Sequence, residues 1–388
     1  MRISPAARVR NLAPYLFADI DRLKREVEAN GVDVISMGIG DPDLPSPPFI
    51  VDSLKRAAED SKNHRYPDYQ GLTRFREAVA GWYRRRFGVS LDPQTEICAL
   101  IGSKEGIANF SLAVVDPDDI VLVPDPGYPV YQTGCLFAGG HPYTVPLTKA
   151  NGFRPDLEAI PPEVARRAKL LWLNYPNNPT AATVDTAFFS DVVEFCLKNE
   201  IILAHDAAYS EISYDGYRAP SVLEVAGARE CAVEFHSLSK TFSMTGWRLG
   251  FVVGNAQLVG VLGKIKTNVD SGVFQAVQEA GITALESDEG GVREICAIYR
   301  ERRDLLVGAL RELGLDCATP RATFYIWAEV PKGYTSASLA MKFLKEAGVV
   351  ITPGSGFGKF GEGFVRFSFT LATPRIREAL RRVHALRL

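Results

Sequence analysis

The stretch Ile201-Ile202-Leu203-Ala204-His205-Asp206-Ala207-Ala208-Tyr209 passes from four apolar residues directly into a polar cluster. A run that short and that uniformly apolar reads as a strand buried on both faces, and such strands belong to parallel sheets covered by helices. The pattern recurs. Ile97–Ile101 leads into Gly102-Ser103-Lys104-Glu105-Gly106, Leu170–Leu173 into Asn174-Tyr175-Pro176-Asn177-Asn178-Pro179-Thr180, and the run Ala232–His236 into Ser237-Leu238-Ser239-Lys240-Thr241. Together with Ile120–Val123 and Leu249–Val253 these runs alternate with helical stretches such as 105–114 and 187–198. The expectation is a large α/β domain with a mostly parallel sheet and helices on both faces. Ligands of such sheets bind at the carboxyl ends of the strands, so the four polar clusters are expected along one edge.

Outside this block the rhythm changes. A helical stripe at 18–29 precedes a strand at Asp33–Met37, which runs into the small-residue turn Gly38-Ile39-Gly40-Asp41-Pro42. Ser46-Pro47-Pro48 opens a further helix, with prolines where the first turn needs no backbone donor, and Thr73–Phe87 is amphipathic. After Gly290 a long helix ends before Gly314, strands near 324–329 and 363–369 flank a helix near 336–346, and a last helix starts at about Pro374. This mixture predicts a smaller α+β domain built from the terminal segments, 1–45 and 285–388, beside a large domain at 46–284.

Composition sets outer limits. The 388 residues carry 44 Lys and Arg against 46 Asp and Glu, a net charge of −2, which excludes a polyanion-binding surface and predicts no nucleic-acid partner. The six cysteines show no CxxC spacing and read as reduced thiols of a cytoplasmic protein. Asp19 and Asp21 interrupt the N-terminal segment before any apolar run long enough for a signal peptide, and no window approaches a membrane span. Two glycine-rich stretches fail their motifs. Pro353 and Phe360 stand where a phosphate loop needs Gly and Ser or Thr, and Gly38-Ile39-Gly40 lacks the third glycine of a dinucleotide fold. The five histidines (64, 141, 205, 236 and 384) show no ligand spacing, so no metal site is predicted.

The four polar clusters are chemically complementary. Taken singly, Asp206 would serve as a helix cap, Tyr128 as a core aromatic, Arg366 as half of an ion pair and Lys240 as a solvated lysine. Taken together, Gly102-Ser103-Lys104 at a helix start and Ser237, Ser239 and Arg248 offer amides, hydroxyls and cations to a phosphate monoester. Asp206 can pair with a protonated ring nitrogen, Asn178 and Tyr209 can hydrogen-bond a phenolic oxygen, and Lys240 offers an amine able to condense with an aldehyde. Pyridoxal 5′-phosphate needs all of these.

The segments GSKEG, PDPGYPVY, NYPNNPT, HDAAYSE, SLSKTFSMTGWRLG and FVRFSF, in this order between residues 33 and 370, resemble the pyridoxal-phosphate aminotransferases of fold type I, class I/II. The stretches NLAPYLFADIDRLK, MGIGDPDLPSPP, HRYPDYQGLTRFREAVAGWYRRRFGV and DSGVFQAVQEAGI are similar to the narrower family of LL-diaminopimelate aminotransferases. The resemblance implies that Lys240 holds the cofactor and moves the substrate proton, that Asp206 faces the pyridine nitrogen, and that Asn178 and Tyr209 share the 3′-oxygen. It implies Tyr128 stacked on the ring, Ser103, Lys104, Ser237, Ser239 and Arg248 around the phosphate, and Tyr66 reaching the phosphate of a neighbouring subunit, hence a homodimer with shared sites. Arg366 would grip the substrate α-carboxylate, Gly40 would admit close approach of the backbone, Lys104, Tyr128 and Asn178 would also border the substrate, and Tyr15 would contact it from the N-terminal segment. The substrates expected are a small amino acid and an oxo acid, LL-diaminopimelate and 2-oxoglutarate in the narrower reading, with a general aspartate, alanine or aromatic aminotransferase, a lyase on the same scaffold, or a non-catalytic cofactor-binding regulator as alternatives. One departure stands out: Ala181 occupies the place of the glycine in the family's NPTG.

Overall fold

A computed structural model describes residues 3–10, 12, 16–386 and 388. Its strands are β1 (Ile35–Ser36), β2 (Ile97–Leu100), β3 (Ile120–Asp125), β4 (His141–Pro146), β5 (Ala168–Asn174), β6 (Ile202–Asp206), β7 (Ala232–Ser237), β8 (Gly250–Gly254), β9 (Tyr325–Glu329), β10 (Val349–Val350), β11 (Thr352–Pro353) and β12 (Phe364–Ser368). Seven of them form one sheet in the order β2-β8-β7-β6-β5-β3-β4. Every pairing within it is parallel except the two made by β8. The expected mostly parallel sheet is therefore present, with two features the sequence did not disclose. Leu249–Val253 runs against its neighbours, and β4 adds an edge strand whose exposed, polar-interrupted residues carry no buried-strand pattern.

Alternation along each strand divides the side chains between two faces. Cys98, Leu100, Leu170, Trp172, Ala204, Val233, Phe235 and Val252 pack with residues of the helices Ser103–Val114, Val130–Ala138 and Ala256–Val269. Their sequence neighbours Ile97, Ala99, Leu171, Leu173, Leu203, Ala232, Phe251 and Val253 pack with the helices Thr73–Phe87, Thr186–Lys198 and Gln275–Glu286. Both faces are thus dry, which is why these strands read as unbroken apolar runs. By the same parity, Asn174, Asp206 and Ser237 belong to the first face, and His205, Glu234 and His236 to the second.

A separate apolar core joins Ile35 and Met37 to the helices Gly290–Glu312 and Thr373–His384 and to the antiparallel sheet β11-β12-β9. β1 pairs with β10 in parallel, Ile35 opposite Val349, and the Ser368 amide donates to the Met37 carbonyl at 2.7 Å. The segment around Ile35–Met37 is therefore packed with the C-terminal elements around one core. The helix expected at 336–346 is α-helical over Ser336–Lys342 and closes in a π-type turn at Phe343–Ala347. The glycine-rich stretch 353–360 forms two short turns rather than a phosphate loop. A Cβ on Gly354 would lie 2.0 Å from the Gly361 carbonyl oxygen, and the amides of Lys359 and Phe360 are held by the Asp125 carboxylate at 3.0 and 2.9 Å.

The loop after β5 is knitted by Asn177, whose side-chain oxygen accepts from the Thr180 amide at 3.0 Å and hydroxyl at 2.7 Å. Ala181 closes that loop at φ +58°, in the left-handed region, where a Cβ costs roughly 1–2 kcal/mol and where glycine is at ease at a cost in chain entropy of about 0.5–1 kcal/mol. Ala181→Gly should therefore stabilise the fold by about 0.5–1 kcal/mol and raise the thermal unfolding midpoint by about 1–2 °C, read by differential scanning calorimetry. A lower midpoint would show that the loop is not strained at this residue.

Candidate active site

Four strand ends and one strand start meet at a single edge. β2, β5, β6 and β7 end there, and because β8 runs the other way its beginning, just after Arg248, lies there too. The edge opens into a cavity of about 420 Å³. Ser103, Lys104, Tyr128, Asn178, Asp206, Tyr209, Ser237, Ser239, Lys240 and Arg248 line it from the sheet side, and Gly40 and Arg366 from the terminal layer. Twelve of the fourteen residues picked from the sequence are thereby brought together. Tyr66 stands apart on the surface, 86% exposed, and Tyr15 lies outside the described residues.

One end of the cavity is built for an anion. The helix Ser103–Val114 begins there, following Gly102 at φ +75°, and its first amides and positive dipole end face the opening. Arg248 lies against Gly102 so closely that a Cβ on the glycine would fall 2.1 Å from the guanidinium. The hydroxyls of Ser237 and Ser239 and the Lys104 ammonium, which sits 5.9 Å above the Tyr128 ring, complete a donor set of the kind a phosphate monoester takes.

The middle is organised around Asp206, only 5% exposed. Its Oδ2 accepts from the Tyr131 hydroxyl at 2.8 Å and its Oδ1 from the Ala208 amide at 3.3 Å, while Asn174 ties down its carbonyl at 2.7 Å. Burial pushes this carboxyl's pKa up, and the Tyr131 hydroxyl and the nearby His205 pull against that rise. Across the cavity, desolvation brings the Lys240 ammonium down to about 8. Arg248 and Arg366 add to the drop, and Asp41 and Asp206 oppose it. An amine poised there is partly neutral, and so nucleophilic, near neutral pH.

The far end holds Arg366, 1% exposed. Its Nη1 donates to Asn178 Oδ1 and its Nη2 to the Gly38 carbonyl, both at 2.6 Å. The guanidinium lies between two rings, 4.2 Å from the centre of Tyr325 and 4.6 Å from that of Phe357. Planar stacking and two neutral acceptors fix the fork's orientation, which suits bidentate capture of a carboxylate. The Tyr325 hydroxyl also meets that of Tyr209 at 3.0 Å, and a Cβ on Gly40 would come within 2.0 Å of it. Gly40 is thus required by the approach of Tyr325, a reason the sequence alone did not supply.

Tyr325, Tyr131, Asn174, Ile39 and Ala208 were not picked as site residues from the sequence. Tyr131 and Asn174 stand inside segments already singled out, one helical turn after Tyr128 and at the last position of β5, and could have been found there. Tyr325 sits in an apolar strand of the terminal layer, where nothing local marks it off from its core neighbours.

Residues 32–383 match the family described as aminotransferase class I and II. The chain is 57% identical over 383 residues to LL-diaminopimelate aminotransferase of Desulforudis audaxviator, covering 99% of this chain and 98% of that protein. It is 55% identical over 386 residues to the enzyme of the same name from Syntrophobacter fumaroxidans, covering both in full. Among solved structures, substrate-bound BacF of Bacillus subtilis superposes with a TM-score of 0.95 at 37% identity, over 99% of this chain and 97% of that one.

The depressed Lys240 pKa has a direct readout. In cofactor-free protein, modification of Lys240 by an amine-selective reagent, followed by peptide mass spectrometry, should rise with pH through a midpoint of about 8, below the ordinary lysine value of about 10.4. A midpoint at the ordinary value would mean that the amine is solvated.

Proposed function

The chain belongs to the class I and II aminotransferases, and we propose on that footing that it binds pyridoxal phosphate and moves an amino group between LL-2,6-diaminopimelate and 2-oxoglutarate, a step of lysine biosynthesis whose oxo product cyclises to tetrahydrodipicolinate. The observation that carries the reading is the convergence of Asp206, Lys240 and Arg366 in one cavity that the start of the helix Ser103–Val114 also borders. The full-length similarity to two proteins named for this activity supports the choice of substrate.

When bound, the cofactor supplies an aldehyde to take up the amino group and a protonated ring to accept the electron pair released at the substrate Cα. The protein's own residues do the rest. Ser103, Lys104, Ser237, Ser239 and Arg248 would hold the phosphate, and Tyr128 would pack on the ring. Asp206, held in place by Tyr131 and the Ala208 amide, would pair with the cofactor's ring nitrogen and, as an anion, would favour its protonated form. Lys240, whose amine desolvation makes partly neutral, would hold the cofactor through its aldehyde and, when free, would serve as the base that takes the substrate Cα proton. Asn178 gives its side-chain oxygen to Arg366, which leaves its amide N–H groups, with the Tyr209 hydroxyl, for the cofactor's 3′-oxygen. Arg366 would align the α-carboxylate so that the bond to hydrogen stands ready to break, while Gly40 keeps the backbone clear.

The assembly proposed is a homodimer. Tyr66 and Tyr69 are exposed, as is Phe274 beside His64, an aromatic surface of the kind that partners cover, and Tyr66 would complete the neighbour's phosphate site. The chain divides into a large domain at 46–284 and a small one made of 1–45 and 285–388. The six cysteines are all unpaired, and among the described residues no helix is long and apolar enough to cross a membrane; the location proposed is the cytoplasm.

Purified enzyme should be yellow, should lose its borohydride-reducible cofactor bond in Lys240→Ala, and should exchange amino groups between LL-diaminopimelate and 2-oxoglutarate. The product is read by its adduct with o-aminobenzaldehyde. Lysine, which lacks the distal carboxylate, should be poor, because a site built to pair polar groups rejects an analogue that leaves them unpaired by about 10⁴-fold. Turnover of aspartate, alanine or an aromatic amino acid with none of LL-diaminopimelate would keep the family and overturn the substrate.

Tyr66→Phe should weaken cofactor retention by about 0.5–1.5 kcal/mol, more if the phosphate charge strengthens the bond, as measured by equilibrium dialysis. An active, cofactor-loaded monomer at nanomolar concentration would contradict the shared site.

A further inference from the structure

Lys266, in the helix Ala256–Val269, is a wholly buried cation that lies outside the cavity. An ammonium in such a place is costly unless charge answers it. Its Nζ lies 3.0 Å from Glu105 Oε2 and 3.0 Å from Asp270 Oδ2. Burial pulls its pKa down and the two carboxylates more than reverse that pull, so the group is charged. Asp270 also accepts the Gly272 amide at 2.8 Å, just past the end of the same helix.

Glu105 is the member of this group that needs a reason. It is the third residue of the helix Ser103–Val114, whose start borders the cavity, and a carboxylate in the first turn competes with an incoming anion for the positive end of the dipole. Its side chain does not line the cavity. Oε2 also accepts the Ile101 amide at 3.0 Å, and Oε1 accepts from the Asn109 side-chain amide at 2.6 Å. The Gly102 amide is taken up by the Leu100 carbonyl at 2.8 Å. Both amides just before Ser103 are thus fixed, and Glu105 shapes the turn Ile101-Gly102-Ser103 from behind. The carboxylate that shapes the turn would also repel the ligand for which the turn is shaped, and Lys266 removes that conflict by pairing with it.

We infer that Lys266 is a positioning residue for phosphate: it cancels the charge of Glu105 behind the helix start, so that the carboxylate holds the turn without repelling an anion in front of it. The inference rests on the pyridoxal-phosphate reading for the identity of the ligand, while its electrostatics apply to any phosphate at this helix start. The sign of each variant's effect follows. Lys266→Met leaves Glu105 unbalanced and weakens phosphate binding. Glu105→Gln keeps an acceptor for the Ile101 amide, leaves Lys266 paired with Asp270 and makes the helix start more positive, so it tightens binding. The double variant falls between the two. A pair that served stability alone would weaken binding in all three.

Calorimetric titration of the full-length, cofactor-free chain with inorganic phosphate, and absorbance titration with pyridoxal phosphate and with unphosphorylated pyridoxal, read these effects. Lys266→Met should raise the Kd of both phosphates about ten-fold and leave that of pyridoxal within about two-fold, the scale of one unit charge acting through a partly solvated path. Glu105→Gln should lower the phosphate Kd about three-fold, and the double variant should lie within about three-fold of wild type. Equal or weaker phosphate binding by Glu105→Gln would overturn the inference, as would a loss in Lys266→Met that is the same for pyridoxal as for its phosphate. Where Lys266→Met does not fold, the sign of the Glu105→Gln effect decides. A wild-type chain that takes inorganic phosphate with this order of variants but takes no pyridoxal phosphate would overturn the cofactor reading and leave the inference standing.

Discussion

A carboxylate kept dry at the end of a central strand is the constraint around which the site is arranged. Asp206 is buried where an anion is costly unless charge or hydrogen bonds answer it, and almost every local feature can be read as an answer. Tyr131 reaches one oxygen and the Ala208 amide the other. Asn174 fixes the carbonyl of the same residue. Tyr131 is itself held flat against Trp172, with centroids 5.1 Å apart and planes within 16°, so the hydroxyl on which the carboxylate depends is positioned by the apolar core of the sheet. Packing and electrostatics are thus linked through one phenol.

The antiparallel strand β8 solves a second problem. A purely parallel sheet would carry the chain after β7 away across a helix before it could return. By reversing at once, the chain places Arg248 beside Ser237, Ser239 and the helix start at Ser103. The cationic and hydroxyl groups at the anion end then come from one short connection and one helix terminus, both braced by backbone pairing.

The legibility of the sequence followed from how local each cause was. Strands buried on two faces announce themselves, since alternation has nothing polar to show, and helix starts at prolines and ends at glycines need only a few residues to be read. The polar clusters at strand ends were equally plain, and with the family resemblance they led to twelve residues that do share the cavity. What escaped has long-range causes. The direction of β8 depends on which neighbour it pairs with, Tyr325 matters only because β9 is carried to Gly40 and Arg366, and the meeting of His205 with Glu234 depends on the register of two parallel strands. Ala181 was flagged correctly from sequence, for the left-handed backbone that its motif demands is a local property.

The pairing of β1 with β10 bears on how the enzyme is made. Ile35 finds Val349 only after 314 further residues have been synthesised. At ribosomal speeds of about 5–20 residues per second that is roughly fifteen seconds to a minute. Throughout that interval Ile35 lacks its strand partner, and the Gly38 carbonyl, an acceptor for Arg366, waits for its donor. The strands of the main sheet can meanwhile emerge and pair in sequence. The half of the cavity lined by Lys240 and Asp206 is then complete on the ribosome before the half that carries Arg366 exists, and a nascent chain stalled in the last forty residues would hold a reactive amine with nothing yet to select what reaches it.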